Sequence, residues 1–156
     1  MPLKRLKEFL DNNNIKYVII YHSRAFTAKE TATSAHIPGK ELAKTVMVKI
    51  DDKMAMAVLP AYHKINFDLL KAATKSSKVE LASEKEFKDL FPECEVGAMP
   101  PFGNFYGMNV YVTESLAEDE EIAFNAGSHR ELVKMAYKDF ERLVKPKLVK
   151  FSVETK

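Results

Sequence analysis

The residues that most clearly suggest chemistry begin with a proline-rich stretch, 96–103, which reads Val-Gly-Ala-Met-Pro-Pro-Phe-Gly. Pro100 and Pro101 fix their own φ angles and drive the preceding residue out of the helical region. Gly97 and Gly103 permit unusual dihedral angles and close approach of the backbone at either end. Such a stiff loop can hold backbone N–H and C=O groups against a small ligand. The same pattern also fits a tight connection that binds nothing.

A lysine and two histidines, distant from this loop in sequence, are the next candidates. Lys44 lies in a segment, 42–48, that is otherwise suited to burial as a strand. Lysine is rarely buried unless it is paired with an opposite charge or takes part in function. Lys44 is therefore either a functional cation or a solvent-facing residue where a strand begins. His129 follows Gly127-Ser128, where an imidazole can donate a hydrogen bond, take a proton or bind an anion. A structural histidine is the alternative, and both interpretations apply equally to His22.

Other chemistries find little support in the sequence. The single cysteine, Cys94, excludes an internal disulfide framework, and the flanking Glu93 and Glu95 would raise its thiol pKa rather than activate it. The four histidines are scattered without metal-ligand spacing, so we expect no metal and no cofactor. A net charge of +2 is too small to indicate a dedicated nucleic-acid binder, and an anionic partner would have to be met by a local patch.

These candidates must be positioned by short helices that alternate with strands. Leu3, Leu6, Phe9 and Leu10 share one face of a first helix, and further helices are predicted after Thr27, Asn66 and Ser83 and from Tyr137 to Val144. The predicted strands number about seven, with a brief one at 79–82 besides, and they are residues 16–22, 42–50, 53–59, 109–113, 121–125, 131–136 and 148–153. The sequence therefore predicts one α/β domain over residues 1–156, with a mixed, largely antiparallel sheet and flanking helices.

Local signals mark several of the boundaries. Thr27 with Glu30, and Ser83 with Glu86, have the spacing of capping boxes. Asp51-Asp52 joins two apolar segments as a hairpin turn, although Asp-Gly would be the stronger signal. No apolar run reaches the roughly 20 residues that cross a bilayer, and the N-terminus lacks the apolar stretch of a signal peptide. We therefore expect a cytoplasmic protein that does not contact a membrane.

Six motifs occur in a fixed order along the chain. They are Tyr21-His22 followed by Thr27, Leu42 to Val46, the proline-rich stretch, Val110-Tyr111-Val112, Phe124 to His129, and Asp139-Phe140. In this combination, over about residues 16–145, the chain resembles the YbaK-like aminoacyl-tRNA deacylases. The same fold occurs as the editing domain inserted in bacterial prolyl-tRNA synthetases.

The resemblance implies a trans-acting hydrolase that cleaves the ester bond of tRNA mischarged with a small amino acid of the Ala, Cys, Ser or Pro class. Its partners would be the 3′ end of aminoacyl-tRNA and, in addition, an aminoacyl-tRNA synthetase. The alternatives are a non-catalytic module of the same fold that binds tRNA or a synthetase, and an interaction protein that docks a partner through its sheet edge or proline loop.

The resemblance also implies site residues. Lys44, Gly97 and His129 are the expected catalytic residues. The expected substrate-binding residues are His22, Phe26, Ala98, Met99, Pro100, Pro101, Phe102, Gly127 and Ser128. Apart from the resemblance, we hypothesise that the amides near Gly97 and Ala98 bind the ester carbonyl. Phe26, Met47, Met99 and Phe102 are either apolar wall residues of the pocket or residues of the hydrophobic core. Many relatives carry Ser-Pro or Val-Pro-Pro where this chain has Met99 before the prolines, so the identity of the substrate does not carry over.

Overall fold

The computed structural model of the protein describes residues 2–22, 35, 37–95 and 97–154. Three of the expectations above lie outside these residues: the capping box from Thr27 to Glu30 with the helix it opens, the apolar wall residue Phe26, and Val96 at the start of the proline-rich stretch.

Helices and strands alternate along the described chain, as the hydrophobic pattern predicts. The helices are α1 (Pro2–Asn12), α2 (Phe67–Thr74), α3 (Glu84–Phe87), α4 (Glu114–Ala117) and α5 (Tyr137–Val144). The strands are β1 (Tyr17–Tyr21), β2 (Leu42–Ile50), β3 (Lys53–Pro60), β4 (His63–Ile65), β5 (Val79–Leu81), β6 (Asn109–Thr113), β7 (Glu121–Asn125), β8 (Glu131–Ala136), β9 (Lys147–Val149) and β10 (Ser152–Glu154). None of the helices in the described ranges is both long and apolar enough to cross a membrane.

Eight of the strands form one mixed sheet, which confirms the predicted fold class. The order is β1-β8-β7-β2-β3-β6-β9, and β5 pairs with β2 outside this path. Four of the pairings are antiparallel, and the β2–β7, β3–β6 and β6–β9 pairings are parallel. Strand β2 shares one edge between two partners: β7 pairs with Leu42 and Ala43, and β5 pairs with residues 48–50. The sheet therefore splits beside residues 44–47.

The largest hydrophobic cluster covers one face of the sheet. Alternate residues of β2, Ala43 and Met47, belong to this cluster together with the buried rings of Phe102, Phe124 and Phe140. The Phe102 ring centroid lies 5.6 Å from that of Phe124 and 5.7 Å from that of Phe140. Aromatic pairs at such separations each contribute about 0.5–1.5 kcal/mol beyond their buried area.

The opposite face carries two smaller clusters. Leu42 of β2 packs with Ala123 and Leu132 in one cluster, and Val48 packs with Leu59 in the other. Because successive side chains of a strand point to opposite faces, Lys44 shares this second face with Leu42 and Val48. The register supports this assignment, since Lys44 pairs with Leu59 across the β2–β3 ladder.

Three of the local sequence signals are confirmed. Asp51 and Asp52 have φ angles of 48° and 67°, the positive values of the tight hairpin turns whose twist matches that of the strands. Asn66 caps α2 by accepting a hydrogen bond from the Leu69 amide at 3.0 Å. Ser83 and Glu86 form the complete capping box of α3, in which each side chain accepts a hydrogen bond from the other residue's amide.

The end of the chain differs from the prediction of a single last strand from Leu148 to Val153. The chain breaks into β9, which adds to the large sheet beside β6, and β10, which pairs with β4 in a separate two-stranded sheet. Strand β4 was not predicted at all. Its three residues form a strand only because β10 supplies their partner from about ninety residues away.

Gly103, at the end of the proline-rich stretch, is enclosed by neighbouring groups. A Cβ atom added there would lie 2.5 Å from the Met108 carbonyl oxygen and 2.6 Å from Cγ2 of Val110. The Gly103 carbonyl also accepts hydrogen bonds from the amides of Tyr106 and Met108. This close approach anchors the downstream end of the loop to β6.

We expect Gly103→Ala to lower the free energy of unfolding by about 3 kcal/mol, because a backbone carbonyl must shift to admit the methyl group. Gly107→Ala is the matched control: its φ is +66°, and nothing lies within 4 Å of an added Cβ. That variant should lose only about 1 kcal/mol through backbone strain. Urea unfolding measures both. Equal losses would show that Gly103 is not selected by close packing.

Candidate active site

The proline-rich stretch forms a loop, called here the proline loop. In its described residues, 97–103, one residue is exposed and the others are buried. Gly97 is exposed and has a φ of +83°, a conformation that side chains disfavour. The Ala98 amide donates to the Glu95 carbonyl at 3.0 Å, and the Phe102 amide donates to the Pro100 carbonyl at 2.8 Å. The loop is thus stiffened by its prolines and by hydrogen bonds of its own backbone.

The segment that contains Gly127 binds this loop through the backbone. The Glu95 amide donates to the Gly127 carbonyl, and the Gly127 amide donates to the Ala98 carbonyl, each at 2.8 Å. Gly127 has a φ of +103°, which a residue with a side chain would adopt only under strain. Two motifs about thirty residues apart in sequence therefore form one structural unit.

His129 lies against Gly97 in this unit. The imidazole is 7% exposed, and a Cβ atom built on Gly97 would lie 3.7 Å from its Cε1 atom. Sequence reasoning left a structural and a functional interpretation open for this histidine. Its burial fits the first, and its contact with the one exposed residue of the described loop segment, 97–103, fits the second.

His22 reaches the same region from β1. Its amide donates to the Arg130 carbonyl at 3.0 Å, one residue beyond the last β1–β8 pair. Ser128 is half-buried, and its hydroxyl accepts from the Arg130 amide at 3.3 Å. His22, Ser128 and His129 are thus near neighbours around Arg130, at the turn that leads from β7 into β8.

Lys44 is half-buried on β2, one residue beyond Ala43, whose pair with Phe124 ends the ladder between β2 and β7. Lys44 therefore lies where the sheet splits, next to the last paired residues of β2 and β7. The charge of Lys44 also acts on the second face of the sheet: burial lowers the pKa of His63, and the Lys44 ammonium lowers it further, against the opposing effect of Glu154.

The apolar side chains expected to line a pocket lie in the hydrophobic core. Met47 and Met99 are 3% exposed, and Phe102 is fully buried among other aromatic rings. Pro100 and Pro101 are buried as well. The backbone of the proline loop, rather than these side chains, is what the described structure exposes near His129.

The amide of Ala98 was expected to bind an ester carbonyl together with that of Gly97. In the structure the Ala98 amide already donates to Glu95, and the Ala98 carbonyl already accepts from Gly127. Both backbone groups of Ala98 therefore serve to hold the two segments together. Of the two amides expected to bind a ligand, that of Gly97 is then the remaining candidate.

Sequence reasoning did not assign a role to Asn125, the last residue of β7. Its Oδ1 atom is buried and has no hydrogen-bond partner among the described residues. The available signal was a polar residue that directly follows the buried run Ile122 to Phe124 and lies two residues before Gly127. Within the described residues, this atom is an unpaired acceptor that lies close in sequence to Gly127 and His129.

The chain belongs to the aminoacyl-tRNA editing domain family, whose sequence pattern matches residues 22–143. The matched range contains every site residue discussed above, from His22 to His129. The match confirms the resemblance that the ordered motifs indicated.

Individual relatives agree with this assignment. Over 75 residues, 48% of this chain, the sequence is 32% identical to a proline–tRNA ligase of Bacillus cereus (strain AH187). The ligase of Bacillus thuringiensis subsp. konkukian (strain 97-27) matches at the same identity. The matched region spans only 13% of these ligases' own length.

Solved structures share the fold. The hypothetical protein APE2540 superposes with a TM-score of 0.85 at 18% identity, covering 96% of this chain and 99% of that one. A proposed trans-editing enzyme for prolyl-tRNA synthetase superposes with a TM-score of 0.82 at 17% identity, covering 97% of both chains. At these identities the likeness establishes the architecture alone.

The thiol of Cys94 is held in its protonated form. Burial raises its pKa to about 11, and the nearby Glu93 charge also raises it, while a hydrogen bond to Tyr106 opposes the shift. Thiolate, not thiol, is the nucleophile. At neutral pH this side chain is therefore a small, half-buried packing group rather than a reactive one.

We expect Cys94→Ser to leave the rate of any hydrolysis by this protein within about twofold of the wild type, because no thiolate is present to be lost. Rates measured side by side at pH 7 and pH 8.5 provide the check. If the variant loses activity while its thermal unfolding is unchanged, Cys94 would have to be considered as a nucleophile.

Proposed function

We propose that the protein is a hydrolase that acts in trans on tRNA carrying a wrongly attached small amino acid of the Ala, Cys, Ser or Pro class. The observation that carries this proposal is the unit in which Gly97, Gly127 and His129 meet, in the turn after β7, the strand that pairs with the start of β2. Membership in the editing family supplies the reaction class. Charged tRNA is used in the cytoplasm, and we place the activity there.

An aminoacyl ester is already activated, so the protein does not need a strong nucleophile. In the proposed reaction, water attacks the ester carbonyl while the Gly97 amide donates to the oxygen on which negative charge develops. Removing one donor of this kind typically costs about 10²–10³ in rate. Lys44 supplies a fixed positive charge toward the carbonyl or the terminal phosphate, and His129 shapes the site next to Gly97.

The proposed selectivity for small amino acids arises because the pocket excludes larger side chains. A larger side chain clashes with a small pocket, whereas one methylene of favourable contact discriminates by only about 1–3 kcal/mol. Met99 and Phe102 lie in the hydrophobic core. Their packing therefore fixes the backbone of the proline-rich loop, and in this way it would set the size of the site indirectly.

The net charge of the protein is only +2, so overall electrostatic attraction contributes little to the binding of a phosphate-containing partner. We therefore propose that the 3′ end of tRNA is held by a few local contacts. A synthetase is a further partner suggested by the proline–tRNA ligase relatives. Such binding should weaken as salt rises, in proportion to the number of phosphates neutralised.

We expect Lys44→Ala to lower deacylation by at least about 100-fold, because it removes the cation proposed to hold the substrate. Lys53→Ala is the matched control, since Lys53 is exposed at the start of β3. The measurement is release of amino acid from tRNA charged with Ala, Cys, Ser or Pro, alongside urea unfolding of each variant.

Full turnover by a folded Lys44→Ala variant would remove this residue from the mechanism. If the wild type binds the charged tRNAs but hydrolyses none of them, the protein is a non-catalytic module of the same family. Co-purification of one stoichiometric protein without tRNA would instead indicate an interaction protein.

A further inference from the structure

Strand β1 forms one edge of the large sheet, because it pairs only with β8. In an antiparallel ladder, alternate residues of a strand bond to the partner strand, and the residues between them turn their N–H and C=O groups away from it. The His22 amide, next to the end of β1, donates to the Arg130 carbonyl of the β8 side. Counting back along β1 in steps of two, Ile20 and Val18 also bond to β8.

The other three residues of β1, Tyr17, Ile19 and Tyr21, therefore turn their backbone groups outward. The neighbouring ladder agrees, since the Glu131 carbonyl opposite Tyr21 accepts from the Ala126 amide on its other side. In the part of the chain that the structure describes, no backbone hydrogen bond reaches these outward groups. An edge of this kind is a template for a further strand.

The other edges of the sheet carry the features by which proteins prevent such pairing, which include charged side chains and prolines. Strand β9 contains the exposed Lys147 and directly follows Pro146. In β5, Glu80 forms ion pairs with Lys49 and Lys78. Strand β1 contains neither a charge nor a proline, and all five of its residues are β-branched or aromatic types that favour strands. It is therefore the edge that is open to pairing.

The sequence of β1 is complementary to a second copy of itself. It reads Tyr-Val-Ile-Ile-Tyr, which is nearly the same in both directions. If two copies pair antiparallel with Ile19 opposite Ile19, Tyr17 lies opposite Tyr21, and Val18 lies opposite Ile20. In this register every outward-facing residue meets another outward-facing residue, and each such pair makes two backbone hydrogen bonds.

The exposure of the side chains agrees with the same register. Val18 is 58% exposed and Tyr21 is 69% exposed, which is unusual for large apolar side chains. The residues that would lie opposite them are half-buried: Ile20 packs against the cluster of Leu42, and Tyr17 packs against the largest cluster on the other face. Residues opposite each other in a ladder share a face. Each exposed side chain of one copy would therefore cover a half-buried side chain of the other.

We propose that two copies of the protein associate through β1, antiparallel and centred on Ile19, so that their two large sheets join into one. Both copies use the same edge, so the assembly closes as a dimer with two-fold symmetry. The proposal does not depend on the proposed reaction. Two five-residue strands form a small interface, and small interfaces are typical of weak association. We therefore expect a reversible dimer with a Kd of about 10 μM.

Sedimentation equilibrium of the full chain at about 1 to 200 μM measures this association. The wild type should pass from monomer to dimer over that range. Val18→Lys should weaken the dimer by at least about 10-fold, because it places a charge against Ile20 of the second copy. Leu148→Lys is the matched control: Leu148 is 45% exposed on the edge strand β9, and this variant should associate like the wild type. Urea unfolding shows that each variant is folded.

A disulfide tests the register. Ile19→Cys, in a chain that also carries Cys94→Ser, should form a covalent dimer under mild oxidation. The Cα atoms of a hydrogen-bonded antiparallel pair lie about 5.5 Å apart, within the range that a disulfide spans. Tyr21→Cys in the same background is the control, because its two copies would lie about 14 Å apart, too far for a disulfide.

The proposal is overturned if the wild type stays monomeric over the whole concentration range. This includes the case in which a synthetase binds and Val18→Lys abolishes that binding, since the edge would then take a strand of another protein. The proposal is also overturned if Val18→Lys and Leu148→Lys weaken the dimer equally, or if Tyr21→Cys forms the covalent dimer as readily as Ile19→Cys.

Discussion

The organisation of the candidate site depends on two hydrogen bonds between backbones, from Glu95 to Gly127 and from Gly127 to Ala98, each 2.8 Å long. They join a loop stiffened by prolines to the turn that follows a buried strand. Both glycines at this junction, Gly97 and Gly127, have positive φ angles. The backbone bonds therefore hold conformations that side chains would resist, and they bring His129 against Gly97.

The sheet determines where this junction lies. Strand β2 pairs with β7 at its start and with β5 at its end, which leaves residues 44–47 beside the split. The chain that leaves β7 turns at Gly127 toward the proline loop, while Lys44 and Asn125 face the other side from the Met99 and Phe102 core. Strand β2 thus carries Lys44. Its neighbour β7 ends at Asn125 and leads into the turn that contains His129.

Short-range features of the fold could be predicted from the sequence because their causes are local. Asn66 caps its helix and Asp51-Asp52 turns its hairpin without help from distant residues. The division of the last strand at Phe151 could not be predicted, because it depends on partners in β6 and β4. Likewise, the resemblance selected Gly97 and His129, but no pattern in the sequence states that the backbone bonds of Gly127 bring them into contact. Nor does any pattern state that the Asn125 side-chain oxygen has no donor among the described residues.

The measurement that tests the central claim most directly is a crystal structure of the protein with an alanyl-adenosine amide, a stable analogue of the aminoacyl end of tRNA in which an amide replaces the ester. The account predicts that the amide carbonyl lies within hydrogen-bond distance of the Gly97 amide, with Lys44 and His129 in contact with the ligand. A ligand bound elsewhere, for example among Lys40, Glu41 and Asp119 at the acidic surface, would contradict it.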